Sequence, residues 1–351
     1  MSKIRVLIVE DSIAVRALLE YIIGCDARLE VAATAGSAEE ALRTLEHLTP
    51  DVIAMDIRLP GMSGLEATRH IMAHAPIPIV VVAASVETQE GNFAAIEALR
   101  AGALTLLEKP VGTTHVDYAA LADRLCAQLV LASQVPLVRP RKARTRPAAQ
   151  NGATRPHALR GYDMLGIACS TGGPEALVQL LNALGRDFPL PILLVQHMIS
   201  SFLPGFAAWL AGTCPFTTLV VSDGQLPARG SIHVAPAERH LQTAGGRLWL
   251  DQGGPVCGQR PAGTVLFHSM ARSLGPRGLG VVLTGMGEDG AAGLLALRQA
   301  GGFTLAEDQT TAVVYGMPAE AVRLGAVCES WPLPSIGPRI LELVGLGEAA
   351  A

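Results

Sequence analysis

Three residues in the C-terminal half are of the types that ester hydrolysis by a serine requires. Ser170, His197 and Asp289 each stand where an apolar run gives way to a turn: Cys169-Ser170-Thr171-Gly172-Gly173-Pro174, Gln196-His197-Met198 and Thr284-Gly285-Met286-Gly287-Glu288-Asp289-Gly290. In such a set the histidine accepts the hydroxyl proton and later returns it to the leaving group, while the aspartate holds the tautomer and stabilises imidazolium. The chain order Ser, His, Asp differs from the α/β-hydrolase order, and no G-x-S-x-G surrounds Ser170. Gly-rich turns ahead of helices more often cradle phosphates, yet the Walker lysine and a G-x-G-x-x-G pattern are both missing. On motif chemistry alone, a phosphate or nucleotide site therefore stands beside a hydrolase triad. His233, His240 and His268 compete with His197 for the part of the base.

The N-terminal half carries a different set: Glu10, Asp11, Asp56 and Lys109. Three carboxylates and an amine in one crevice suit a hard cation. Mg²⁺ prefers oxygen ligands, keeps several waters and neutralises carboxylates that otherwise repel each other. Beside such a cation, Asp56 is a candidate nucleophile toward a phosphoryl group.

Both sets need elements that bring them together. Lys3–Val9, Val52–Met55, Ile77–Ala84 and Ala103–Leu107 are strand-length apolar runs, alternating with helical patterns such as Val15, Leu18, Leu19 and Ile22 behind a capping Ser12. The second half repeats the scheme with Met164–Ala168, Pro191–Gln196 and Leu279–Leu283. Alternation of this kind predicts two α/β domains: a flavodoxin-like parallel body and a doubly wound, mostly parallel body. In such sheets the chemistry gathers beyond the carboxyl ends of the strands, where Glu10, Asp11, Asp56 and Lys109 in the first half and Ser170, His197 and Asp289 in the second lie. Pro174 suits the first turn of a helix, so Ser170 and Thr171 precede a helix N-terminus that favours developing negative charge.

The chain has 351 residues, half of them apolar and 17% charged, which suits two buried cores and excludes general disorder. No apolar run is long enough to span a membrane, and the start of the chain lacks a signal-peptide pattern. Six scattered cysteines with no C-x-x-C pair read as reduced thiols, so a cytoplasmic protein is expected. The mild net charge of −4 hides seven bases between Arg139 and Arg160, among prolines and without an acid. This stretch reads as an exposed tether; lacking aromatics and helical period, it is not expected to bind nucleic acid. The expected organisation is 1–132, a linker at 133–160, and 161–345.

On Val9-Glu10-Asp11-Ser12, the run Met55-Asp56-Ile57-Arg58-Leu59-Pro60-Gly61-Met62-Ser63-Gly64, and Lys109-Pro110, the first half resembles a response-regulator receiver domain. The resemblance implies that Asp56 is the phosphoacceptor, that Asp11, Asp56 and the Arg58 carbonyl bind Mg²⁺ with Glu10 in support, and that Lys109 contacts the phosphoryl oxygen. Residues from about 163 to 343 resemble the protein-glutamate methylesterases of bacterial chemotaxis. Ser170-Thr171-Gly172-Gly173-Pro174, Val195-Gln196-His197-Met198, Ile232–Pro236, Leu283–Gly290 and Val314-Tyr315-Gly316-Met317-Pro318 carry the likeness. It implies Ser170 as nucleophile, His197 as general base and acid, Asp289 as orienter, and Thr171 and the Met286 amide as oxyanion contacts. Ester hydrolysis itself needs no cofactor.

The expected function is phosphorylation-regulated hydrolysis of glutamyl methyl esters on chemoreceptors, with glutamine deamidation as a second activity and a histidine kinase as phosphodonor. A receptor-binding regulator without catalysis, or a phosphate-binding output domain, are the alternatives. Several positions depart from the family patterns. Ala83 stands where receivers carry a hydroxyl, unless Ser85 supplies it, and Leu106 stands where they carry an aromatic. Ile199 replaces a proline, Thr264 an aspartate and Glu307 a glutamine.

Overall fold

The computed structural model describes residues 3–83, 96–110, 118–135 and 161–346; most of the basic tether and Ser85 lie outside them. In the first body, strands β1 (Ile4–Val9), β2 (Leu29–Ala35), β3 (Val52–Met55), β4 (Ile79–Ala83) and β5 (Thr105–Glu108) form one parallel sheet in the order β2-β1-β3-β4-β5. Side chains alternate across it. Leu7, Val9, Ile53, Met55, Ile79 and Val81 join one apolar cluster, and Val6, Ile8, Val52, Ala54, Val80 and Val82 join the other. Burial on both faces explains why these strands read as unbroken apolar runs. The helix Gly64–His74 starts with a capping box made by Ser63 and Glu66. A side chain at Gly64 would overlap the Asp56 carbonyl, so the glycine lets this helix press onto the strand end that presents Asp56.

The second body holds β6 (Met164–Cys169), β7 (Ile192–Gln196), β8 (Thr217–Val220), β9 (Ser231–Val234), β12 (Gly278–Val282), β13 (Phe303–Glu307) and β14 (Glu329–Trp331). They form a sheet in the order β14-β13-β12-β6-β7-β9-β8, and every adjacent pair is parallel. Leu165, Ile167 and Cys169 face one apolar cluster while Met164 and Ala168 face another, so this sheet too is covered on both sides. From β6 the chain first builds outward through β7 to β8 and β9, then returns to add β12, β13 and β14 on the opposite flank. The order reverses between β6 and β12, and a crevice opens there beyond the carboxyl ends. An antiparallel hairpin of β10 (His240–Ala244) and β11 (Arg247–Asp251) lies outside the expected alternation. Among the described residues, no helix is long and apolar enough to cross a membrane.

Candidate active site

Ser170 follows β6 directly. Its N–H donates to the Thr284 carbonyl at 3.0 Å, tying the turn after β6 to the turn after β12. Gln196 Nε2 donates to the carbonyls of Ser170 (3.0 Å) and His197 (2.9 Å), and the His197 N–H donates to the Cys169 carbonyl at 3.0 Å. Parallel pairing thus sets the serine and the histidine on neighbouring strand ends. The helix Gly173–Leu184 begins just beyond, with Gly172 at φ +77° and Pro174 in its first turn. A Cβ at Gly285 would come within 2.8 Å of Ser170 Cβ; only glycine admits the two turns this closely.

Asp289 is almost fully buried, and its partners come from an element the motif does not contain. Oδ2 accepts from His197 Nε2 at 2.8 Å and from the Gly263 N–H at 2.6 Å, while Oδ1 accepts from the Thr264 N–H at 2.9 Å. Gly263 and Thr264 open the helix Gly263–Ser273, so its free amides and dipole point at the carboxylate. Burial alone would raise the Asp289 carboxyl, but the His197 bond and the Thr264 amide outweigh it and hold the group below its usual range. The Thr264 hydroxyl accepts from the Gly290 N–H at 2.8 Å, so this residue braces the turn without adding a second carboxylate.

His197 Nδ1 is buried and has no hydrogen-bond partner among the described residues. No direct bond joins it to the Ser170 hydroxyl; the structure places the two side by side through their backbones. Among the described residues, neither the Thr171 nor the Met286 amide donates to a backbone acceptor. The rival histidines are engaged elsewhere. His233 Nε2 accepts from the Ala228 N–H at 2.9 Å, and burial pushes its ring below the usual histidine range. His240 sits between the Ala262 N–H (3.2 Å) and the Gly254 carbonyl (3.0 Å). Burial also lowers His268, on the helix that faces Asp289.

Sequence reasoning assigned no role to Gln196, Thr284 or Glu307. Each is a polar residue at the end of an apolar strand run, and that is the signal that would have singled them out. The Thr284 hydroxyl donates to the Thr171 carbonyl at 2.9 Å and accepts from the Val314 N–H at 2.9 Å, and Glu307 Oε2 accepts from the Thr284 N–H at 2.8 Å.

In the first body, Glu10, Asp11 and Asp56 bring one carboxylate oxygen each to within 4.8 Å of one another. Lys109 Nζ lies 2.7 Å from Glu10 Oε2 and 2.8 Å from Asp56 Oδ2. Burial pushes the Glu10 carboxyl up, against the pull of Lys109. An all-oxygen set with a single ammonium to balance it fits a hard divalent cation. Arg58 lies in the loop two residues past Asp56, outside the side-chain cluster.

The two bodies meet over the Ser170 turn. The Gly172 N–H donates to the Leu104 carbonyl at 3.3 Å. Phe202, fully buried, joins the apolar cluster of the first body that includes Ala83, Ala103 and Leu106. Ile199, Val313 and Val314 pack against the cluster on the other face of that sheet. The segment after His197 therefore rests on the β4–β5 side of the first body.

A parallel five-stranded body with a carboxylate–lysine crevice, joined to a doubly wound body with a Ser/His–Asp switch point, defines a response regulator with an enzymatic output domain. Residues 6–120 match the response regulator receiver domain, and residues 165–340 match CheB methylesterase. The chain is 52% identical, over 99% of its length and 99% of the relative's, to protein-glutamate methylesterase/protein-glutamine glutaminase 2 of Paramagnetospirillum magneticum. It is 40% identical, over 96% of each chain, to protein-glutamate methylesterase/protein-glutamine glutaminase 4 of Myxococcus xanthus. The CheB methylesterase catalytic domain of Thermotoga maritima aligns with a TM-score of 0.50 at 33% identity, covering 52% of this chain and 99% of that one. This chain belongs to the CheB methylesterase family.

Proposed function

We propose that this chain, acting in the cytoplasm, hydrolyses γ-glutamyl methyl esters on chemoreceptors and deamidates receptor glutamines at the same site, under control of its receiver domain. The observation that carries the reading is the His197–Asp289 pair, held by a helix N-terminus on the strand end next to Ser170. Ser170 Oγ attacks the ester carbonyl as its proton passes to His197 Nδ1. Asp289, on Nε2, fixes the tautomer and stabilises the imidazolium. The oxyanion forms at the helix N-terminus beside the Thr171 and Met286 amides, neither of which has a backbone acceptor to give up. The C–O bond to methoxide breaks, and His197 protonates it to methanol. Water, deprotonated by His197, then splits the acyl-enzyme to glutamate and free serine; with glutamine, ammonia leaves instead.

In the receiver (1–132, followed by a linker at 133–160 and the catalytic domain at 161–345), Asp56 accepts a phosphoryl group from a histidine kinase. Asp11, Asp56 and the Arg58 carbonyl would hold Mg²⁺ with Glu10 in support, and the ion when bound supplies positive charge against the phosphoryl oxygens. Lys109 adds a fixed cation at the same carboxylate. The contacts of Leu104, Ala83 and Leu106 with the catalytic body support a closed resting state that phosphorylation opens.

Methanol release from methylated receptor, with and without a phosphodonor, tests this. Ser170→Ala is expected to abolish release, and Asp56→Ala to abolish only the gain from the phosphodonor. Release that survives Ser170→Ala overturns the triad, and no release from the wild type points to a receptor-binding module.

A further inference from the structure

Beneath the Ser170 turn, four buried polar side chains follow the carboxyl edge of the sheet: Glu307 at the end of β13, Thr284 just past β12, Cys169 at the end of β6 and Gln196 at the end of β7. They are linked to the site rather than to solvent. Glu307 accepts from the Thr284 N–H, Thr284 holds the Ser170 N–H and the Thr171 carbonyl, and Cys169 donates to Gln196 Oε1 at 3.1 Å. Glu307 is the only carboxylic acid of the four. It is fully buried, and its Oε1 has no hydrogen-bond partner among the described residues.

We propose that Glu307 is a positioning residue for the esterase site, acting through Thr284 on the Ser170–Thr171 turn, and that its ionisation imposes a pH dependence on hydrolysis. The inference rests on the reading of Ser170 as the nucleophile. A neutral carboxyl accepts from Thr284 and adds no charge beneath the turn. The ionised form puts a negative charge in a dry site next to the turn where the oxyanion develops, and like charge there raises the barrier.

Burial pushes the Glu307 carboxyl up to about 7, against the pull of the Thr284 amide and the Thr311 side chain, so the change of charge falls near neutral pH. The groups that face it do not compensate. On β6, Cys169 is held neutral, since burial raises its thiol well above the usual range. Asp308, next in the chain, adds a like charge, while the Thr284 amide and the Thr311 side chain pull the other way without offsetting burial.

The test is kcat/KM for methanol release by the full chain between pH 6 and 8.5, for wild type, Glu307→Gln and Glu307→Ala. Glutamine keeps an acceptor for Thr284 and cannot ionise. The ratio of Glu307→Gln to wild type is expected to rise about three- to tenfold across that range. Glu307→Ala, which strips the Thr284 amide of its acceptor, is expected to lose activity throughout. A flat ratio with an active wild type overturns the proposal. A wild type that releases no methanol overturns the esterase reading itself. A second readout, independent of activity, serves if Glu307→Ala does not fold: the infrared carbonyl band of a protonated buried carboxyl that Glu307→Gln lacks must fade through neutral pH in the wild type. A band absent at pH 6 refutes the assignment.

Discussion

Replacing Glu307 by glutamine is expected to change how the stability of the catalytic body depends on pH, by an amount that follows from burial. In the native state the carboxyl is carried from its ordinary 4.5 to about 7, because the unionised form is the one a dry site tolerates. The unfolded chain gives up this proton near 4.5, whereas the native protein keeps it until about 7. Within that window the native state holds more protons than the unfolded state, so stability falls as pH rises. Each pH unit costs about 1.4 kcal/mol, and the whole window costs about 3 kcal/mol. Below it the native and unfolded states carry the same proton, and above it both are ionised, so the loss levels off. Glutamine at the same place has no such dependence. Urea denaturation followed by tryptophan fluorescence isolates the effect, because Trp209, Trp249 and Trp331 all lie in the catalytic body. The stability gained by Glu307→Gln over wild type should grow by about 3 kcal/mol between pH 4.5 and 7 and then stay level. Denaturation curves for the two proteins that keep a constant separation across this range would refute the reasoning.

Asp289→Asn keeps the size of the side chain but removes the charge that stabilises imidazolium, so kcat for methanol release should fall on the order of 10³- to 10⁴-fold with KM little changed. A fall of less than tenfold would remove Asp289 from its role. Phe202→Ala empties a fully buried site in the receiver's apolar cluster, a truncation worth about 3 kcal/mol or more, and each ~1.4 kcal/mol shifts a closed-to-open ratio tenfold. Methanol release without phosphodonor should rise toward the phosphorylated level; an unchanged gap between the two would show that this contact does not hold the domains closed.

What could be read from the chain is what a parallel sheet encodes locally. An apolar run that stops at a polar residue marks a strand end, and alternation with helices puts all such ends on one edge; Ser170, His197 and Asp56 were legible for that reason. The β10–β11 hairpin, which alternation did not predict, turns at Gly245-Gly246, both at the positive φ that a tight hairpin turn requires. The partners of Asp289 were not legible. Its carboxylate is held by amides of Gly263 and Thr264, some 25 residues earlier in the chain, and a backbone amide leaves no mark in a side-chain pattern. For the same reason Thr264 looked like the loss of an acid, whereas its contribution is an N–H that any residue but proline would supply and a hydroxyl that braces Gly290. Phe202 was ambiguous in kind: its size says it is buried, but not in which of the two bodies. Glu307 shows the converse. An acid and its amide look alike in sequence, yet in a site closed to water the acid is a hydrogen-bond acceptor that titrates near neutrality and the amide is not. Where burial multiplies the effect of a charge, the chemistry of a position follows from its surroundings more than from the residue type.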